Sequence, residues 1–323
     1  MKIVSANLEP DWFEAALLGP IFPALRQHPH FGPFGRAYFR AIYGNCDSSF
    51  AITDGLEIIA MVLCAPAGGQ VNYYRQNPVR IVVNPDADAT AIAGAIEFSL
   101  ENLKQIAIAT GLEVISVSDI DPLTGSMLSN ALEYVGALPQ TRILAQVDLT
   151  AGPTAWRSAL RKSSRSLINW GRRHMQVDFV NRDNLDLGQF RKFQEFHAQV
   201  AGRVTRPQES WDEIFAWISA GGGELTMTSI DKKPAAASLF IDGTSCCLYF
   251  TGVYDRTNFD KPMAHYPLWL GIERAHERGM KTLELGDVPE EGAVSAKEYQ
   301  IGYFKRGFAT HLEKQVTWTW HLR

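Results

Sequence analysis

The 323-residue chain has no window of 18 or more uninterrupted apolar residues, and its first residues, MKIVSANLEPDWF, lack the apolar run of a secretory signal. A cytoplasmic protein without a transmembrane segment is expected. Cysteine is scarce: Cys46, Cys64, Cys246 and Cys247 have no CxxC spacing, and the adjacent pair would point to opposite faces of a strand. Buried thiols are expected rather than metal ligands or disulfides, and no metal site is read from the sequence. Also missing are a GxSxG elbow, an HExxH helix, a Walker loop and a dinucleotide fingerprint. The chain thus carries no marker motif of a serine hydrolase, zinc peptidase, P-loop NTPase or Rossmann dehydrogenase. A net charge of -4 and dispersed aromatics give a nucleic acid neither phosphate neutralisation nor a stacking platform.

What is present suggests two domains, since the length is about twice that of a typical domain and 46% of the residues are apolar. Charge is uneven. Residues 1–150 hold 8 Lys plus Arg against 15 Asp plus Glu, and residues 151–323 hold 23 against 20, so an anionic ligand is better received by the second half. The first half alternates strands and helices: SSFAITD and LEIIAMVLCAP form a hairpin at Asp54-Gly55, a helix follows RIVVNP with Asp86 or Asp88 as cap and Gly111 as stop, and EVISVSD, a helix and RILAQVDL follow. Gly152-Pro153 marks a boundary, giving domains 1–150 and 151–323. The second half reads as a basic helix to about 174, the strand QVDFV, two helices, three strands with a turn at Lys232 to Pro234, a helix over about 264–278, the strand KTLELGD, a short helix and a terminal strand. In that last strand Leu312, Val316, Trp318 and Trp320 share one face.

Three blocks carry a family resemblance: LRKSSRSLINWGRRHMQVDFV (160–180), FHAQVAGRVTRP (196–207) with LTMTSIDKKPAAASLFIDGTSCCLYFTGVYD (225–255), and HYPLWLGIERAHERGMKTLELGDVPEEGAVSAKEYQIGYFKRGF (265–308). The third, ending in FKRGF, is the most specific. Together they resemble the FemAB-like and BioF2-like acetyltransferases of the GNAT superfamily, over roughly residues 155–315. The resemblance implies an α/β fold of tandem GNAT domains, each a mixed central sheet flanked by helices. The first domain would be degenerate and the second would hold the cleft. It also implies N-acyl transfer, with acyl-CoA or acetyl-CoA as donor and an amine of a small molecule or a cell-envelope or polysaccharide precursor as acceptor. Aminoacyl-tRNA is the alternative donor, and a catalytically inert precursor-binding protein is the alternative class. One departure stands out: a GNAT domain usually holds the coenzyme A pyrophosphate on a glycine-containing loop before its main helix, whereas residues 254–267, YDRTNFDKPMAHYP, contain no glycine.

Direct attack of an amine on an acyl group needs a proton acceptor, a positioned carbonyl and donors for the oxyanion. His265 at a helix start and Glu284 at a strand end are candidate bases, and Tyr249 shares with Thr251 the polar face of the CCLYFTGVYD strand, whose other face (Cys246, Leu248, Phe250) suits a core. Pro267 is expected at the first helical position. His197, Arg203 and Arg206 form a cluster suited to a carboxylate or phosphate, and Tyr254, Tyr266 and Asp287 are further substrate-binding candidates. Lys297 and Lys305 match the lysine and aromatic segment that contacts substrate in the family. On one continuous helix Arg157, Arg161, Arg165 and Arg172 fall within an arc of about 80°, with no acid between 157 and 173, a face suited to an anion or to solvent.

Overall fold

The computed structural model describes residues 1–74, 77–119, 125–255, 257 and 261–322. In chain order the elements are β1 (Lys2–Ser5), α1 (Pro10–Leu18), α2 (Pro23–Gln27), α3 (Pro33–Tyr43), β2 (Phe50–Asp54), β3 (Glu57–Leu63), β4 (Ala65–Ala67), β5 (Gln70–Asn72), β6 (Val79–Val83), α4 (Ala89–Thr110), β7 (Val114–Asp119) and α5 (Gly125–Tyr134). There follow β8 (Leu138–Asp148), α6 (Gly152–Ala159), α7 (Lys162–His174), β9 (Gln176–Val180), α8 (Leu187–Ala201), α9 (Gln208–Ser219), β10 (Gly223–Ile230), β11 (Lys233–Asp242), β12 (Cys246–Tyr254), α10 (His265–Glu277), β13 (Thr282–Asp287), α11 (Ala296–Arg306) and β14 (His311–His321).

These elements divide into two compact units. One comprises Met1–Arg26, Tyr43–Arg142 and Lys314–Arg323, the other Gln27–Ile42 and Ile143–Glu313. In the first, the sheet order is β1-β2-β3-β6-β7-β14, and in the second β9-β10-β11-β12-β13-β8. Both sheets show the same succession of pairings. Three antiparallel pairs lead to one parallel pair, β6 with β7 or β12 with β13, and then to a final antiparallel strand. A helix, α4 or α10, joins the parallel strands, as a parallel connection requires. This is the tandem GNAT architecture, a mixed sheet flanked by helices in each unit.

Local chemistry explains the element ends. Asp88 caps α4 by accepting from the backbone N–H groups of Thr90 (2.8 Å) and Ala91 (3.0 Å), and Gly111 closes it at φ 68°. The β10–β11 turn is the two residues Asp231 and Lys232, both at positive φ (50° and 63°), because Lys233 and Pro234 already pair with Ile230 and Ser229. The turn thus begins one residue before the expected one. In β14, Trp318 and Trp320 are buried and Val316 packs with them, while Leu312 stays exposed.

The basic segment is two helices rather than one. Leu160 and Arg161 are extended (ψ 133° and 136°) and separate α6 from α7. Leu160 and Trp156 are held in the second unit's core, and the Arg161 N–H donates to the Gly307 carbonyl (3.3 Å). That core lies between the sheet and α10, where Phe240, Cys247, Leu283 and Leu285 meet Leu268, Trp269 and Ile272. Gly271 permits the contact, since a Cβ there would lie 1.8 Å from Phe240 Cζ; Gly171 does the same for α7, where a Cβ would lie 2.3 Å from Tyr266 Cβ.

Candidate functional site

In the second unit β12 and β13 pair only through Cys246↔Thr282, Cys247↔Leu283 and Leu248↔Glu284. Beyond those residues β12 continues to Tyr254 and β13 to Asp287, so the strands part and leave a wedge whose two edges no longer satisfy each other's backbone groups.

The β12 edge of that wedge carries a bulge. Phe240 of β11 faces Tyr249 while its neighbour Leu239 faces Thr251, so Phe250 is the extra residue. Because Leu239 and Phe240 point to opposite faces, Tyr249 and Thr251 do as well, and the shared face expected from strict alternation does not form. Tyr249 packs against Phe240 (ring centroids 5.5 Å) on the α10 side of the sheet. Thr251, half-buried, lies on the other side. Gly252 is exposed and bare, which lets the hydroxyls of Tyr249 and Tyr254 hydrogen-bond over it; a Cβ at 252 would sit 2.0 Å from the Tyr249 hydroxyl. Burial holds both phenols above their usual pKa, so they are neutral hydrogen-bonding groups.

Phe250, expected in the core, instead faces an aromatic cluster that contains Arg206. The Arg206 guanidinium lies 4.6 Å from the Trp211 ring, 5.5 Å from Phe250 and 5.9 Å from Tyr38, and donates to the Tyr38 hydroxyl at 3.0 Å. His197 stands 5.4 Å from Trp211, with its Nδ1 3.3 Å from Thr205 Oγ1. Burial, and then the charge of Arg206, lower its pKa to about 4, so it is uncharged at neutral pH. Arg206 is accordingly the cation at this end of the site.

From Phe250 the contacts run to residues that sequence reasoning passed over. Phe250 touches His30 (6.0 Å), His30 touches His28 (5.1 Å), and His28 Nε2 lies 3.4 Å from Glu284 Oε2. The His30 N–H donates to His28 Nδ1 (3.2 Å), so that nitrogen carries no proton and the imidazole proton sits on Nε2, toward the carboxylate. Both side chains of the His28–Glu284 pair are about one-sixth exposed, at 17% and 15%. The available signal was the segment QHPHFGPF (27–34), with two of the eight histidines among prolines and aromatics.

At the end of β13 a second bulge, between Glu284 and Gly286, shifts the register with β8. Gly286 has φ 93°, and a Cβ there would meet Lys305 Nζ at 2.7 Å, so the ammonium rests against bare backbone. Burial lowers the Lys305 pKa, opposed by the charges of Asp287 and Glu284. Two carboxylates, an ammonium and an imidazole are thus gathered at the mouth of the wedge: a proton acceptor next to a donor for a developing oxyanion.

His265 occupies the first position of α10, so Pro267 falls at the third position rather than the first. Its ring sits edge-on to Phe304 (5.2 Å) and 5.7 Å from Phe308. Nδ1 is buried and has no hydrogen-bond partner among the described residues, and burial followed by the Arg161 charge lowers the pKa. The imidazole is therefore neutral, with desolvation as the leading cause. Tyr266 packs against α7 at Gly171. Arg203 and Lys297 are exposed, on the turn after α8 and in the first turn of α11. The break between α6 and α7 removes Arg161 from the other arginines: it lies 3.8 Å over the Tyr303 ring and donates to the Tyr303 carbonyl (3.3 Å). Arg157, Arg165 and Arg172 remain together around one cavity.

The described residues of the 254–267 connection do not form the usual GNAT pyrophosphate cradle. Among them Pro262 and Pro267 have no N–H, and the His265 N–H is directed at the Pro262 carbonyl (3.4 Å). Part of the segment, Arg256 and residues 258–260, lies outside the described residues. Among the described residues no group of His, Cys, Asp and Glu has the arrangement of a metal site. No helix is long and apolar enough to cross a membrane. Cys64, Cys246 and Cys247 are buried and free, and Cys46 is half-buried and free.

With this geometry in hand, the comparisons define a class. Residues 156–300 match the family model described as acetyltransferase (GNAT) domain. The structure is similar to that of FemX, at 14% identity and TM-score 0.66 over 100% of this chain and 98% of the other. It is also similar to a tandem GNAT protein from the clavulanic acid biosynthesis pathway (11% identity, TM-score 0.54, 98% and 97% covered). A third likeness is to an acetyltransferase from the GNAT family of Colwellia psychrerythraea (11%, 0.55, 99% and 100%). No curated protein sequence matches the chain. The fold is thus the tandem GNAT fold, and residues 156–300 are similar to the GNAT acetyltransferase domain.

Proposed function

We propose that the protein is an N-acyltransferase that moves an acyl group by direct attack of an amine, with the wedge of the second unit as its site. The observation that carries this reading is the gathering of His28, Glu284, Asp287 and Lys305 where β12 and β13 part. In the proposed step Glu284, oriented by the Nε2–H of His28, takes a proton from the acceptor ammonium. The freed amine attacks the acyl carbonyl, and Lys305 donates to the oxyanion. Collapse of the tetrahedral intermediate breaks the bond to the leaving group, which departs with the proton held by Glu284, while the nitrogen, made acidic by acylation, loses its second proton to solvent. His265, neutral and partly enclosed by two phenylalanines, borders this chemistry as a positioning group. Arg206 in its aromatic surround suits a carboxylate or phosphate on the acceptor, as expected of a small amine or an envelope or polysaccharide precursor.

A thioester such as acetyl-CoA is the donor to test first, because the match to the GNAT acetyltransferase domain, residues 156–300, includes Glu284 and Asp287 of the site. Thiol release is followed with acetyl-CoA and a panel of amino acids and amino sugars, and the purified protein is screened by mass spectrometry for a bound acyl compound. Lys305→Met is expected to lower kcat by about 10²- to 10³-fold, the loss seen when one oxyanion donor is removed. Amine-independent thiol release, or an unchanged rate in Lys305→Met, overturns the reading. Acyl transfer from aminoacyl-tRNA but not from acetyl-CoA replaces the donor and keeps the site.

A further inference from the structure

A cavity of about 370 Å³ lies between α6, α7 and α10 and is lined by Arg157, Arg165 and Arg172 together with Ser158, Asn169 and Trp269. Among the described residues no carboxylate lines it, and the acid within ion-pair distance of these arginines is Glu273, 4.0 Å from Arg157. The neighbouring basic side chains have local tasks. Arg173 donates to the Asn169 carbonyl (3.3 Å), and His174 stacks on Trp170 (4.8 Å) with Nδ1 2.7 Å from that residue's carbonyl oxygen. These two serve the last turn of α7, where cations are favoured by the helix dipole. The cavity arginines are steadied differently. Arg165 donates to the Ser158 carbonyl (3.4 Å), and the Arg157 guanidinium sits 5.8 Å from the Trp269 ring. Each guanidinium has five N–H donors, so both keep donors for a ligand.

Three like charges around one concavity repel one another, and a multivalent anion relieves that repulsion while accepting several forked hydrogen bonds. The volume is at the small end of organic-ligand pockets, which suits a diphosphate with part of a nucleotide rather than a polymer. Where the fold normally holds such a group, the sequence 254–267 has no glycine, and among its described residues Pro262 and Pro267 have no N–H and the His265 N–H is directed at the Pro262 carbonyl. We propose that the α6–α7–α10 cavity binds the diphosphate of a nucleotide-type small molecule through Arg157, Arg165 and Arg172. The side chains replace backbone amides as the anion-holding donors. Anion binding here is independent of the transfer chemistry, whereas the cavity's service to that chemistry rests on the reading above.

Calorimetric titration of the full chain with inorganic pyrophosphate at low salt tests the site, with coenzyme A and uridine diphosphate as the two nucleotide sources. Pyrophosphate is expected to bind. Its Kd should rise at least tenfold in the Arg165→Gln/Arg172→Gln double variant, with an intermediate rise when both are changed to Lys, which keeps charge and loses the fork. All three proteins should melt at the same temperature, since both arginines are exposed. Whichever nucleotide binds more tightly than pyrophosphate names the source. The proposal is overturned if pyrophosphate gives no binding at millimolar concentration, if the double variant binds it as the wild type does, or if a short single-stranded RNA binds more tightly than all three. Pyrophosphate binding together with no acyl transfer to an amine from either acetyl-CoA or aminoacyl-tRNA retains the cavity's assignment and removes the transfer reading.

Discussion

Acidification should weaken the protein through His197. The folded state holds this imidazole at a pKa of about 4, below its ordinary 6.5, because the ring is desolvated against Trp211 and faces the Arg206 charge. A base whose pKa is depressed on folding binds its proton more readily when unfolded. The stability it protects is therefore complete above pH 6.5 and is lost as the pH falls toward 4. At pH 5 the two values give about 2 kcal/mol of lost stability, which solvent screening around a half-buried ring reduces to about 1 kcal/mol. His197→Gln removes the titration, so the difference in urea midpoint between the two proteins, with m unchanged, should narrow by that amount between pH 7.5 and pH 5. Histidine ring resonances read the same quantity directly. A His197 titration midpoint near 6.5, or parallel loss of stability in both proteins, refutes the account of the Arg206 end of the site.

Other perturbations follow from single contacts. Gly252→Ala places a methyl group between the Tyr249 and Tyr254 hydroxyls and should cost about 1–3 kcal/mol by overpacking, read from chemical denaturation, with a fall in transfer rate. Glu224 is fully buried, paired with Arg274 and bonded by Asn181 Nδ2 (2.7 Å), with Arg278 Nη1 at 3.7 Å. Glu224→Gln removes the buried charge that both guanidiniums share and leaves Arg274 to Glu277 (3.6 Å) and Arg278 to Asp242 (2.6 Å), so it should destabilise by about 1.5–3 kcal/mol in the same assay. The Lys305 ammonium, its pKa lowered by burial, should set an alkaline limb of the rate profile below the ordinary lysine range. Lys305→Arg should move that limb upward, and a limb that stays in place counts against Lys305 as the oxyanion donor.

Much of each sheet was legible because it depends on local pattern. The Asp54-Gly55 turn, the Asp88 cap, the Gly111 stop and the alternating tryptophans of β14 are signals contained in a few neighbouring residues. What stayed hidden depends on distant partners. A bulge is invisible to alternation until β11 is paired with β12, so Tyr249 and Thr251 were read as sharing a face and Phe250 was assigned to the core. Leu160 and Arg161 do not look like helix breakers, yet the core's hold on Leu160 and the Gly307 carbonyl straighten the chain there. Residues 27–42 cluster with the second unit although they precede it by more than a hundred residues, which no periodicity reports. Among the four cationic positions in the first arc, only the helix break determines which three share a cavity.

The two units repeat one pairing order, so topology alone does not favour either for the proposed transfer; side-chain burial along the equivalent strands supports the second. Every residue of β6 in the first unit is buried, and Val79, Ile81 and Val83 sit in a core with Ile92, Ala95 and Ile96 of α4. A strand sealed on both faces offers an acyl group no room. In the second unit β12 is buried without a break only up to Leu248, and again at Val253. Past the point where it leaves β13, Tyr249, Phe250 and Thr251 are half-buried and Gly252 is exposed. The change from sealed to open falls at the residue opposite Glu284, beside His28 and within the field of Lys305. Openness and ionisable groups thus coincide at one place in the second unit, whereas β6 of the first is sealed. Substitutions along β6 should therefore change stability and leave kcat per folded molecule unchanged, whereas those at Glu284, His28 or Lys305 should do the reverse.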